Sequence, residues 1–165
     1  MSRLHSIVLA VCLSLLGSMP AAAATFELGS PPVARITLPD AWSPKVTARG
    51  VEATTDDDEI YVAVRPAALA STEEAVRQAL AYLLEQGVKI DASTQRQRIG
   101  EINGMEAVSL AFSGKDEDDE DVEISVSVVV ASPSSAVVLT YWGSKDGERT
   151  YAAELAAILQ SLTRP

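Results

Sequence analysis

Apolar and polar residues alternate over much of the chain after residue 24, and this period of two is typical of half-buried β-strands. Strands are predicted where turn-forming residues bound the alternation. They cover residues 25–28, 34–38, 46–48, 51–55, 60–65, 96–102, 105–112, 122–130 and 136–142. The last two are the most apolar, so we expect them in the middle of the sheet.

Helical spacing replaces the alternation in two places. Apolar residues recur every three or four positions over 75–84, Ser71 and Glu74 form a capping box, and Gly87 follows as a stop signal. A closing helix is predicted from Glu148 to Leu162. The order of elements predicts an α+β fold in which two main helices flank an antiparallel β-sheet, an α/β/α sandwich.

The dipeptide Asn103–Gly104 gives the strongest turn signal, because both residues tolerate the positive φ angles of a type I′ hairpin turn. Residues 128–131 and 137–139 are apolar at successive positions, so both faces of the sheet are apolar there. The second face must therefore be partly covered by the closing helix, by an N-terminal strand or by a partner.

Residues 1–24 have the form of a secretory signal peptide. A cationic start with Arg3 precedes an apolar stretch over residues 7–16 and the small residues 21–24, so cleavage is expected after Ala23 or Ala24. The apolar stretch of about ten residues is far short of the roughly 20 that cross a bilayer. We expect residues 25–165 to form a single α+β domain, periplasmic or secreted, without stable membrane insertion.

The histidine and cysteine content limits the chemistry. The only histidine is His5 and the only cysteine is Cys12, and both leave with the predicted leader. No Ser-His-Asp or Cys-His catalytic set and no disulfide is then available. Gly-x-Ser-x-Gly, Walker and dinucleotide motifs are also missing from the sequence. We expect no catalytic residue, no metal site and no cofactor, and a protein that is not an enzyme.

The charge is strongly acidic. The formal net charge is −10, and loss of Arg3 with the leader makes it about −11, which repels nucleic acid. The partners expected are a protein or a small ligand, not a nucleic acid. The sequence leaves the oligomeric state open.

Two alternatives rest on carboxylates. The acidic run over residues 116–121 supplies oxygen ligands for Ca²⁺, but its spacing does not fit an EF-hand, and a solvated hairpin loop is the favoured interpretation. A carboxylate-dependent exported hydrolase would need a pair of acids such as Glu52, Glu101 or Glu106 in an apolar cleft.

Three aromatic residues are the candidates for partner binding, because tryptophan and tyrosine dominate interface hot spots. They are Trp42, Tyr141 and Trp142. Trp42 follows a strand, whereas Tyr141 and Trp142 are adjacent in one strand and must point to opposite faces of the sheet. One of the two is therefore expected to lie on an incompletely covered face.

The pattern resembles the PsbP-like fold family, which includes a photosystem II subunit, a nuclear Ran-binding factor and small bacterial periplasmic proteins of the DcrB type. Three segments carry the resemblance: residues 38–42 (LPDAW), 102–107 (INGMEA) and 140–142 (TYW). The resemblance implies an antiparallel sheet between helices and a binding or accessory role. Metal binding in some members relies on histidines that this chain does not have at the matching positions.

Overall fold

The computed structural model describes residues 22–165, so all but the last three residues of the predicted leader lie outside the described residues. Nine strands and three helices are formed within 22–165. The strands are β1 Ala23–Leu28, β2 Ala34–Pro39, β3 Lys45–Thr47, β4 Gly50–Thr54, β5 Ile60–Ala68, β6 Lys89–Ile102, β7 Met105–Lys115, β8 Asp121–Ser132 and β9 Ser135–Ser144. The helices are α1 Thr72–Glu85, α2 Lys145–Thr150 and α3 Ala152–Ser161.

Seven strands form one antiparallel sheet in the order β3-β4-β5-β9-β8-β7-β6. Strand β9 is central and β8 lies beside it, which confirms the prediction from their apolar composition. Strands β1 and β2 form a separate hairpin. The mixed α+β fold with a large antiparallel sheet is thereby confirmed.

The two faces of the sheet are covered differently. On one, called the α1 face, Ala79 and Leu83 of α1 pack over a buried layer. That layer includes Tyr61, Ala63, Ile124, Val126 and Val138. On the opposite face, called the hairpin face, the β1–β2 hairpin and α3 bury a second layer. Because a hairpin shares this second face with a helix, an α/β/α sandwich describes the architecture only in part.

The start of α1 differs from the predicted capping box. Ser71 makes no side-chain cap hydrogen bond, and its φ and ψ of −112° and 14° are not those of an extended N-cap residue. A single 3-10 turn over residues 69–71 leads directly into the helix, and Glu74 instead accepts a hydrogen bond from Gln78 Nε2 at 2.8 Å. The predicted end is confirmed, since Gly87 follows α1 with a φ of +87°.

The closing helix is also not as predicted. Instead of one helix from Glu148, there are two: α2 begins at Lys145, and Tyr151 interrupts the helical structure before α3 begins. The earlier start follows from a cap, because the Ser144 hydroxyl accepts a hydrogen bond from the Gly147 amide at 2.8 Å. At the break, the Tyr151 ring packs edge-on against Trp42, with ring centroids 5.6 Å apart.

The predicted hairpin between β6 and β7 is present, with φ angles of 51° at Asn103 and 71° at Gly104. Strand β6 starts seven residues earlier than the predicted 96, at Lys89. Residues 89–95 lie on an edge strand and are mostly exposed, so their sequence lacks the apolar alternation that marks a half-buried strand.

Candidate functional site

Trp42 lies in the core. Its side chain is 2% exposed and belongs to the buried layer of the hairpin face, next to Tyr151. The 3-10 turn over residues 40–42, which directly follows β2, holds it there. Trp42 is therefore buried and not accessible at the surface, and its part in partner binding stays a prediction.

Tyr141 and Trp142 lie on opposite faces of β9, as the strand period requires. Tyr141 is on the hairpin face, where its hydroxyl donates a hydrogen bond to Glu148 Oε1 at 2.8 Å. Burial, and then this contact with Glu148, raise the pKa of the Tyr141 phenol. The residue lines a cavity of about 480 Å³ beneath α3 whose floor carries Ser109, Ser125 and Ser127.

Trp142 lies on the α1 face in a row of residues that crosses three strands. Thr54 of β4 is paired with Tyr61 of β5, and Tyr61 is paired with Trp142 of β9. Paired side chains on the same face lie in contact range, so the two rings are direct neighbours. Tyr82 of α1 adds a third ring, its centroid 6.0 Å from that of Tyr61 and tilted by 33°.

These three aromatic residues line one concavity, called the Trp142 pocket. Its volume is about 470 Å³. The other lining residues are Lys45, Glu52, Thr54, Asp58, Gln86, Val88, Asp116, Glu117 and Asp118. Strands β4, β5 and β9, the end of α1 and the loop between β7 and β8 thus each contribute to it. The structure brings the predicted site residue Trp142 together with the acidic run.

The electrostatics of the pocket are dominated by carboxylates. Five acidic residues and one lysine line it. The Tyr61 hydroxyl donates to Glu52 Oε2 at 3.2 Å, and burial, with a further contribution from Glu52, raises the pKa of the Tyr61 phenol. Tyr82 already makes a cation–π contact, since the Arg65 guanidinium carbon lies 5.0 Å from the centroid of its ring.

The acidic run, residues 116–121, includes a loop whose conformation is stabilised by hydrogen bonds from its own backbone amides. The Asp116 carboxylate accepts hydrogen bonds from the amides of Asp118 at 3.0 Å and Glu120 at 2.9 Å. Asp119 pairs with Lys89 at 3.0 Å, and this contact lowers the pKa of Asp119. Within residues 22–165, no group of three or more histidine, cysteine, aspartate or glutamate side chains is arranged to hold a metal ion.

Two acids of this loop keep their carboxylates available. Among the described residues, neither Glu117 nor Asp118 takes part in a salt bridge, and both are exposed at the edge of the Trp142 pocket. The loop approaches α1 closely, since a Cβ built on Gly87 would lie 3.1 Å from the Glu117 Cβ. Both carboxylates therefore lie at the edge of the pocket without a salt-bridge partner among residues 22–165.

The α1 face has a second opening on the other side of the helix. An apolar groove of about 920 Å³ runs between α1 and strands β6, β7 and β8. Its lining includes Val76, Ile99, Val108, Leu110 and Val128. Ile99 is 76% exposed, so residues 22–165 do not cover this part of the face. Glu101 and Glu106, two of the acids considered for hydrolysis, are cross-strand neighbours at exposed positions on its rim.

Sequence reasoning did not select Tyr61 or Tyr82 as site residues. Tyr61 occupies an alternating strand position and Tyr82 a helix position, so each has the pattern of an ordinary packing residue. Only the pairing of β5 with β9, which sets Tyr61 beside Trp142, together with the packing of α1, joins them into one wall.

None of the helices within residues 22–165 is long and apolar enough to cross a membrane. No protein-family model and no curated protein matches the sequence. Solved structures do match. Cyanobacterial PsbP (CyanoP) from Synechocystis superposes with a TM-score of 0.57 at 11% identity, over 90% of this chain and 96% of that one.

LpqN of Mycobacterium tuberculosis, described as involved in cell envelope biogenesis, superposes with a TM-score of 0.51 at 14% identity. The match covers 90% of this chain and 88% of LpqN. Together with CyanoP, this likeness identifies the class of fold. The chain has a PsbP-like fold, as its sequence resemblance implied.

Proposed function

We propose that this protein is a non-enzymatic, exported accessory protein that binds a small ligand or a protein partner at the Trp142 pocket. The observation that carries the proposal is the meeting of three aromatic rings, Tyr61, Tyr82 and Trp142, in one concavity on the α1 face. Clustered aromatic side chains in a partly desolvated pocket are typical of binding sites.

Two further observations support a binding role and export. The fold is shared with LpqN, a protein described as involved in cell envelope biogenesis. The N-terminal sequence has the form of a secretory signal, so the working protein would begin at residue 24 or 25 and act outside the cytoplasm. Since β1 begins at Ala23 and pairs Ala24 with Leu38, cleavage would remove at most two residues of that strand.

The pocket favours binding over carboxylate-dependent hydrolysis. A general acid of the glycosidase type needs a carboxyl group in an apolar environment that raises its pKa. Every acidic residue that lines the Trp142 pocket is at least partly exposed, and Asp58, Glu117 and Asp118 are exposed. None of these carboxyl groups lies in the enclosed apolar environment that such chemistry requires, so the pocket fits ligand binding better.

The test is a comparison of variants in the native host. The tagged full chain, the W142A variant and the L159A variant are recovered from extracts, and bound proteins and small molecules are measured by quantitative mass spectrometry. Leu159 is a matched control, because it is 46% exposed and lies on α3, over the opposite face of the sheet. We expect W142A alone to lose bound species.

The same samples test export. The mass of the recovered chain should correspond to an N-terminus at Ala24 or Thr25. If W142A, with an intact fold by circular dichroism, retains every species that the wild type retains, the pocket is not the binding surface. If the recovered chain still carries residues 1–23, the proposal of cleavage and export is wrong.

A further inference from the structure

We infer that the Trp142 pocket recognises an organic cation, a quaternary or alkylated ammonium group. The inference rests on the proposed function, because it names the ligand class of the same pocket. Two independent features of the pocket point to this class: the aromatic wall and the excess of negative charge at its edge.

The aromatic wall has the composition that attracts cations. Aromatic faces carry negative electrostatic potential, and cages of tryptophan and tyrosine bind quaternary ammonium groups. Tyr61 and Trp142 are cross-strand neighbours, and Tyr82 lies across from Tyr61 at 6.0 Å between ring centroids. The Arg65 guanidinium carbon lies 5.0 Å from the centroid of Tyr82 and already occupies a face of that ring, so Trp142 and Tyr61 are the rings proposed to contact the ligand.

The charge at the edge of the pocket has the matching sign. Lys45 is the single basic residue among the lining residues, against five acidic ones. The Asp116 carboxylate accepts hydrogen bonds from backbone amides, and the Glu52 carboxylate accepts one from the Tyr61 hydroxyl. Glu117 and Asp118, in contrast, make no salt bridge within residues 22–165. An anionic ligand would be repelled and a cation attracted.

Size and ligand arrangement favour an organic cation over a metal ion. A bound Ca²⁺ needs six to eight converging oxygens at short range. Among the described residues no group of three acidic side chains is arranged for a metal, and the pocket encloses about 470 Å³ beside aromatic carbon. Such a space has room for a bulky, weakly hydrated ammonium group in contact with the rings.

The cation can come from a free small molecule or from a lysine side chain of a peptide, and both present the same chemistry. Isothermal titration calorimetry with the full chain therefore uses four probes. These are tetramethylammonium, choline, a short neutral-ended peptide with one trimethyl-lysine, and 3,3-dimethyl-1-butanol, which is the uncharged carbon analogue of choline. Tighter binding of choline than of the peptide identifies a free ammonium compound as the source, and tighter binding of the peptide identifies a side chain.

The expected result is binding of at least one cationic probe in the millimolar range or tighter, with the uncharged analogue at least tenfold weaker. W142A should weaken binding at least tenfold, and W142F should retain most of it because the ring face is kept. The double variant E117Q/D118N should weaken binding severalfold and reduce its dependence on salt. L159A should bind as the wild type does.

Different failures separate the two proposals. If the uncharged analogue binds as tightly as choline, or E117Q/D118N has no effect, the pocket binds ligands without selecting for charge, and the cation inference is overturned while the proposed function stands. If no cationic probe binds but W142A still loses species recovered from the host, the ligand class is wrong and the site is right. If W142A also changes nothing in the host, both fail.

Discussion

The side-chain amide of Asn103 donates a hydrogen bond to the carbonyl oxygen of Leu162 at 2.7 Å. The same nitrogen lies 2.8 Å from the carbonyl oxygen of Leu159 and 3.1 Å from that of Gln160. Carbonyl groups at the end of a helix have no partner within the helix. The turn between β6 and β7 thus caps α3, and one residue serves both the hairpin and the closing helix.

We expect the N103G variant to lower the free energy of unfolding by about 1–2 kcal/mol, because glycine keeps the positive φ of the turn but removes the capping amide. Urea denaturation measures the change. The N103A variant should be less stable than N103G, since alanine also opposes the φ of 51°. Equal stability of N103G and the wild type would show that the three contacts contribute nothing.

Substitution of Gly50 is predicted to destabilise the protein. It has a φ of +151°, and a Cβ at this position would collide with the carbonyl oxygen of Val64 on the neighbouring strand. The G50A variant should lose about 3 kcal/mol or more of stability, as expected for strain in a β-ladder that cannot relax. Thermal unfolding followed by circular dichroism measures the loss.

Gly100 provides the matched control. It also lies in a strand, but nothing is within 4 Å of the position where its Cβ would be, and its φ is not positive. The G100A variant should change stability by no more than about 0.5 kcal/mol. If G50A and G100A unfold at the same temperature, close backbone approach is not what fixes glycine at residue 50.

Thr140 carries an unsatisfied hydroxyl. The residue is 1% exposed, and among residues 22–165 its Oγ1 is the buried side-chain polar atom that lacks a hydrogen-bond partner. Its cross-strand neighbours are the apolar residues Ala63 and Val126. The T140V variant, which replaces the hydroxyl by a methyl group of similar size, should be more stable by about 1 kcal/mol.

The T140S variant is the control for this prediction, because it keeps the hydroxyl and removes the methyl group. It should be less stable than the wild type by about 1 kcal/mol. Denaturation midpoints of the three proteins at the same pH decide the order. A loss of stability in T140V would mean that the hydroxyl finds a partner in solution.

Tyrosine ionisation should limit stability at alkaline pH. Burial, followed by the contact with Glu148, raises the pKa of Tyr141 above its usual value near 10. Below pH 10 both folded and unfolded chains keep this proton, so the stabilisation is fully present. As the pH rises from 10 towards the folded pKa, the unfolded chain releases the proton first, and stability falls by up to about 1.4 kcal/mol per pH unit.

The Y141F variant removes this titration. It should be less stable by about 1 kcal/mol at pH 7, where the hydrogen bond to Glu148 is lost, but its stability should decline less steeply above pH 10. Unfolding by denaturant at several pH values from 8 to 11.5 gives both slopes. Parallel curves for Y141F and the wild type above pH 10 would mean that ionisation of Tyr141 does not cause the loss of stability.

Local sequence signals were sufficient for most of the fold. Positive φ at Asn103 and Gly104 follows from the turn chemistry of those two residues, whatever the rest of the chain does. The start of α1 was not predictable in the same way. Ser71 has a good capping side chain, but the preceding 3-10 turn gives its backbone the wrong angles.

The sequence by itself determined that Tyr141 and Trp142 face opposite ways, because successive strand residues do so in any sheet. It did not determine that Trp42 is buried against Tyr151, since a tryptophan after a strand suits a core or a surface equally. Nor did it determine the Trp142 pocket. The lining residues are spread along the sequence between Lys45 and Trp142. They come together only because β5 pairs with β9 and the loop after β7 reaches the end of α1. Strand pairing between distant segments is fixed by the burial of the whole sheet, and no local pattern encodes it.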